Sequence, residues 1–192
     1  MNKFFLFSFT MLLVSISSIF GQNYQSYPEN IYADTSHAPF YHGVASGDPL
    51  QNSVLIWTRR SPESSNADSL LVNWEIAPDS LFSNILDSGT VFAKPQTDWT
   101  LQVDVQNLNP DNYYFYRFQD NQGRSSVIGR TKTAPNNNAS QFEMAVASCS
   151  SIFSGFFNAY ARIAKNDEID LVVHLGDYIY DTTDPDEEIR IP

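Results

Sequence analysis

Cysteine is nearly absent: Cys149 is the only one in 192 residues, so no disulfide can form within the chain. A lone thiol of this kind is buried and inert, joins two copies, or binds a metal. Basic residues are scarce as well, with 11 Lys and Arg against 22 Asp and Glu and a formal net charge of −11. Binding a phosphate backbone requires clustered Lys and Arg, so the charge argues against nucleic acid as a stable partner and against an anionic membrane surface. A small phosphorylated substrate is not excluded, because a bound cation reverses the local field. After Phe20 no apolar run is long enough to span a bilayer, so the mature chain has no transmembrane segment. No paired arginines mark the N-terminus, and no nucleophile-elbow glycines flank Ser148 or Ser150, which argues against serine hydrolysis.

What is present begins with an export signal. Lys3 supplies a positive start and Phe4 to Phe20 an apolar stretch softened by serines, so residues 1–21 read as a secretory signal peptide cleaved after Gly21. An uncleaved anchor is the rival reading. Export places the mature protein in the periplasm, on the cell surface or outside the cell. Residues 22–37 are polar and aperiodic and read as a disordered leader.

Residues 38–134 have the texture of an all-β domain. Strands are expected at Ser53–Thr58, Leu70–Ala77, Gly89–Ala93, Thr100–Val105, Tyr113–Gln119 and Val127–Thr133, separated by Pro, Gly, Asn and Asp. Short strands at this spacing predict a sandwich. Leu108, Pro110 and Tyr114 have the spacing of the tyrosine corner of fibronectin type III domains, where the phenol bonds back to the backbone. Tyr114, Tyr116 and Phe118 then share an inward face, as do Val72, Trp74 and Ile76. Trp57 and Trp74 are expected in the core, and the acidic pairs in solvated loops.

Residues 135–141 read as a linker, and the pattern then changes. Phe142–Ala147 predicts a buried strand ending at Ser148-Cys149-Ser150, Gly155–Asn166 a helix capped by Ser154, and Leu171–Leu175 a second strand buried on both faces. This βαβ order predicts parallel strands with a right-handed crossover. In open α/β sheets, sites form beyond the carboxyl ends of the strands. Cys149 follows the first strand there and Asp177 the second, and Tyr180 reaches the same ion if the chain turns. Thiolate, carboxylate and phenolate together suit a strongly Lewis-acidic ion such as Fe(III), with the carboxylate free to bridge to a second cation. Two such metals polarise a phosphoryl oxygen and activate water for in-line attack. His174 reads as a satisfied core or supporting histidine rather than a ligand, and Tyr178 as packing.

Three segments carry a family resemblance. Ala147-Ser148-Cys149, Gly155-Phe156-Phe157-Asn158-Ala159-Tyr160 and Val173-His174-Leu175-Gly176-Asp177-Tyr178-Ile179-Tyr180 resemble the opening of the alkaline phosphatase D (PhoD-like) metallophosphatases. Gly43–Pro49 with Trp57-Thr58-Arg59 is similar to that family's N-terminal domain, and Gly129–Ala134 resembles its closing strand. The resemblance spans about residues 40–181. It implies an exported phosphodiesterase and phosphomonoesterase acting on phosphate esters with Fe(III) and calcium in a four-layer metallophosphatase domain. Cys149 and Tyr180 match the iron ligands, and Asp177 the bridging, catalytic carboxylate. The twin-arginine signal of many members is missing. The family's later Asn, His and Asp ligands would lie past Pro192, so residues 142–192 are expected to be the incomplete start of that domain, inactive alone. The alternative is an exported fibronectin-like binding module without catalytic activity.

Overall fold

The computed structural model describes residues 35–64, 66–136, 139, 141–150, 157–178 and 180. The expected signal peptide and most of the leader lie outside these residues, as do Ser154, Phe156 and Asp181. The leader's last three residues, Thr35–His37, form a 3-10 turn, and the Phe40 N–H donates to the His37 carbonyl at 2.7 Å in the turn that follows.

Seven strands follow: β1 (Val44–Gly47), β2 (Val54–Arg59), β3 (Leu70–Ala77), β4 (Asp87–Ala93), β5 (Thr100–Val105), β6 (Tyr113–Asp120) and β7 (Gly129–Lys132). They form two antiparallel sheets, ordered β1-β2-β5 and β4-β3-β6-β7. This is a fibronectin type III-like sandwich. Its core is built by strict alternation along the strands. Val54 and Ile56, beside Leu101, Val103 and Val105 of their own sheet, pack with Val72, Trp74, Ile76, Tyr114, Tyr116 and Phe118 of the other, all buried. Trp57 departs from expectation. It occupies the odd position between Ile56 and Thr58, so the pleat turns it to the outer face, where it is only half-buried.

The tyrosine corner forms as its spacing indicates. The Tyr114 phenol accepts the Asn109 N–H at 2.8 Å and lies 3.2 Å from the Asn109 carbonyl, locking the turn before β6. Tyr114→Phe strands a part-buried N–H, and an orphaned donor costs about 1–2 kcal/mol. The urea midpoint should fall accordingly at unchanged m-value; an unmoved midpoint would show that water replaces the phenol.

Behind the sandwich lies a parallel pair, β8 (Met144–Ala147) and β9 (Leu171–His174), joined through helix α1 (Asn158–Ala164). The parallel βαβ order is therefore present, as the start of an α/β domain. The described helix is shorter than the predicted one, and Phe157 precedes it without a side-chain cap. The strands are not buried on both faces. Met144, Val146, Leu171 and Val172 are exposed, because only one short helix among the described residues packs near the pair. No described helix is long and apolar enough to cross a membrane.

Candidate metal centre

The two parallel strands run out together, and their hydrogen bonds continue beyond the regular ladder. Met144 stands opposite Leu171 and Ala147 opposite His174. The Leu175 N–H then donates to the Ala147 carbonyl at 2.9 Å, and the Cys149 N–H to the Gly176 carbonyl at 3.2 Å. This register delivers Cys149 beside the Gly176-Asp177 turn. The Cys149 thiol donates to Asp177 Oδ2 across 3.5 Å.

Both residues leave their strands in the left-handed backbone region, Cys149 at φ 54° and Asp177 at φ 50°. Asp tolerates that conformation, but for cysteine it costs about 1 kcal/mol or more. Such strain concentrates where side chains are re-aimed at a site. Gly176, at φ 119°, supplies the turn that no L-residue adopts readily.

Tyr180 closes on the same point. Its phenol lies near enough to Cys149 and Asp177 that the interaction with the Cys149 side chain first, and the Asp177 charge after it, push it up to about 12. All three side chains are exposed. The sequence prediction thus brought together three residues that the fold does bring together. Two ligands of one cation stand roughly 3–3.6 Å apart, as bond lengths of about 2.0–2.3 Å imply. The thiol-to-carboxylate distance meets that requirement. Thiolate, carboxylate and phenolate repel one another unless positive charge lies between them, so this donor set fits a hard, highly charged cation. Among the described residues no three His, Cys, Asp or Glu side chains gather to hold a metal.

His174 is held from both sides. Its Nδ1 accepts the Gly176 N–H at 3.3 Å, which puts the ring proton on Nε2, 2.9 Å from the Tyr160 hydroxyl. With both nitrogens engaged it braces the turn rather than facing the donors. Tyr178 stacks edge-on against that ring at 4.9 Å while remaining largely exposed. In the sequence Tyr160 lies with Ile163 and Ala164 along one apolar stripe of the helix, and nothing there marks it as the partner of His174. An apolar stripe signals burial, not the one hydroxyl within it.

This geometry can be set beside known proteins. Residues 25–135 match the PhoD-like phosphatase N-terminal domain, and residues 144–190 match the PhoD-like phosphatase family. The chain belongs to the PhoD-like phosphatase family. It is 39% identical over 175 residues to alkaline phosphatase D of Bacillus subtilis (strain 168), covering 88% of this chain and 30% of that protein. It is also similar to a solved structure of PhoD, with 42% identity and a TM-score of 0.69 over 74% of this chain and 28% of that one. The chain therefore spans about 30% of the length of its PhoD-like relative. The PhoD-like matches run across both the sandwich and the β8–β9 pair, in the same order as in the sequence.

Proposed function

We propose that the full-length protein is an exported, metal-dependent phosphoric ester hydrolase acting on phosphodiesters and phosphomonoesters. The observation that carries this reading is the approach of Cys149 to Asp177 within 3.5 Å at the ends of adjacent parallel strands, with Tyr180 beside them. Residues 1–21 act as the export signal, residues 38–134 as the N-terminal sandwich domain, and residues 142–192 as the first part of the metallophosphatase domain. Cys149 and Tyr180 would hold Fe(III), and Asp177 would bridge it to calcium. Bound there, the metals supply Lewis acidity toward a phosphate ester and an activated water. The chain's own residues do the rest. Cys149 and Tyr180 would bring negative charge to a trivalent ion, Asp177 would supply the bridging carboxylate, and His174 holds the turn that aims Asp177.

The test is colour. A phenolate bound to Fe(III) absorbs visible light, so the purified full-length protein should be coloured. Tyr180→Phe should abolish the band, and Cys149→Ala should lower the iron content several-fold. A colourless, iron-free protein that hydrolyses phosphate esters at full rate would overturn the ligand assignment. A full-length protein with neither iron nor hydrolytic activity would favour the binding-module alternative.

A further inference from the structure

A polar cluster between the sandwich and the β8–β9 pair plays no part in the chemistry above. Lys132, the last residue of β7, donates its ammonium to Asp170 Oδ1 at 2.7 Å and lies 3.2 Å from Asp111. The other Asp170 oxygen accepts the Glu143 N–H at 3.0 Å, and the Asp170 N–H donates to the Glu143 carbonyl at 2.9 Å. Glu143 immediately precedes β8 and Asp170 immediately precedes β9. One carboxylate therefore ties the starts of both parallel strands to each other and to the edge of the sandwich. Tyr113 lies beneath, its ring 5.0 Å from the Lys132 ammonium and 4.9 Å from the Arg130 guanidinium. Arg130 adds a second tether, donating to the Asp167 carbonyl at 2.9 Å.

We propose that Lys132 and Asp170 are positioning residues for the metal centre, fixing the register of β8 on β9 and so the approach of Cys149 to Asp177. The proposal rests on the phosphatase reading for the role of those two ligands. Its physical basis is that Asp170 engages Glu143 through both its backbone and its carboxylate, at the residue that precedes each strand. The two strands pair over four residues each, and half of those side chains are exposed. A slip of one residue moves the strands by about 3.3 Å and reverses the face each side chain occupies. That would separate Cys149 from Asp177 completely. The charge-assisted hydrogen bonds at the strand starts hold both strands in this register from their first residues. The pair is partly sheltered, with Asp170 at 14% and Lys132 at 24% side-chain exposure, and so is screened less than a rim ion pair. From Asp170 the ladder runs without interruption through Ala147 and His174 to the Cys149 N–H. This gives the sandwich a task in the enzyme, as the template against which the metal-binding strands are set.

The experiment compares wild type, Lys132→Met and Lys132→Arg in the full-length protein. In the metal-free form, the Lys132→Met change should accelerate amide exchange at Leu175 and Cys149 about tenfold, the scale expected from losing one charge-assisted hydrogen bond, with Ile56 and Phe118 unchanged. In the iron-loaded form, release to a chelator should quicken by about the same factor, and Lys132→Arg should restore both. Unchanged exchange at Leu175 and Cys149 in Lys132→Met would overturn the proposal. So would equal acceleration at Ile56 and Phe118, which would make Lys132 only a part of the sandwich's own stability. Should the wild type bind no iron, the metal reading fails, and the exchange comparison alone decides whether Lys132 sets the strand register.

Discussion

Asp177→Asn in the full-length protein should lower kcat/KM for a chromogenic phosphodiester by about a thousandfold, equivalent to about 4 kcal/mol of transition-state stabilisation. The amide has the shape of the carboxylate and tolerates the φ of 50° that Asp177 adopts, so the turn survives. What is lost is the charge with which Asp177 would hold the proposed cations. The thermal midpoint of the metal-free variant should therefore match wild type within a degree or two. The two measurements together separate a chemical role from a structural one. Activity within tenfold of wild type would remove Asp177 from the centre of the mechanism. A collapsed midpoint would instead mean that the carboxylate holds the turn.

The legible part of this protein was written locally. The corner motif Leu108-x-Pro110 with Tyr114 lies within seven residues, and its hydrogen bond to Asn109 forms between residues five apart. The alternation of Val72, Trp74 and Ile76 encodes their burial directly, since the pleat leaves no other arrangement. The approach of Cys149 to Asp177 was legible for a related reason. Once Met144–Ala147 and Leu171–His174 are parallel neighbours, the residues just past their carboxyl ends must come together, whatever the rest of the domain does. Topology converted a separation of 28 residues between Cys149 and Asp177 into a contact.

What escaped the sequence was set by partners far away in the chain. β1 is four residues long and largely exposed, so it carries no burial pattern to detect; its place comes from pairing Val44 with Thr58. Trp57 was misplaced because its size argued for burial while the parity of Val54, Ile56 and Thr58 argued against it, and parity won. Asp120 is a buried acid in a sequence whose acidic residues otherwise suggest solvent. It accepts the Gln122 and Arg124 N–H groups, each at 2.9 Å, and pairs with Arg124 and Arg60, partners that a charge count cannot assign. The Lys132–Asp170 bond joins residues 38 apart across the two parts of the fold, and no periodicity announces it.

Gly129→Ala should cause the largest loss of stability of any single-methyl change in the sandwich, about 3 kcal/mol, the upper end of the range for overpacking a filled core. A Cβ built at Gly129 falls 2.2 Å from Cζ and 2.5 Å from Cε1 of Tyr116, far inside any permissible contact. Gly129 pairs directly with Tyr116 across β6 and β7, so the ring lies flat over the space where a side chain would stand. Tyr116 cannot swing clear. It is 2% exposed, and its ring packs edge-on against Phe118 at 6.3 Å in the middle of the core. The strain must then pass into the backbone of β7, which ends three residues later at Lys132, so the loss should also loosen the tether to Asp170. Chemical unfolding of Gly129→Ala, Tyr116→Leu and the double variant checks the cause. If the ring is the obstacle, Gly129→Ala will cost much less in the Tyr116→Leu background than in wild type, a coupling of about 1 kcal/mol or more between contacting residues. Strict additivity would place the damage in the backbone of β7 rather than against the ring.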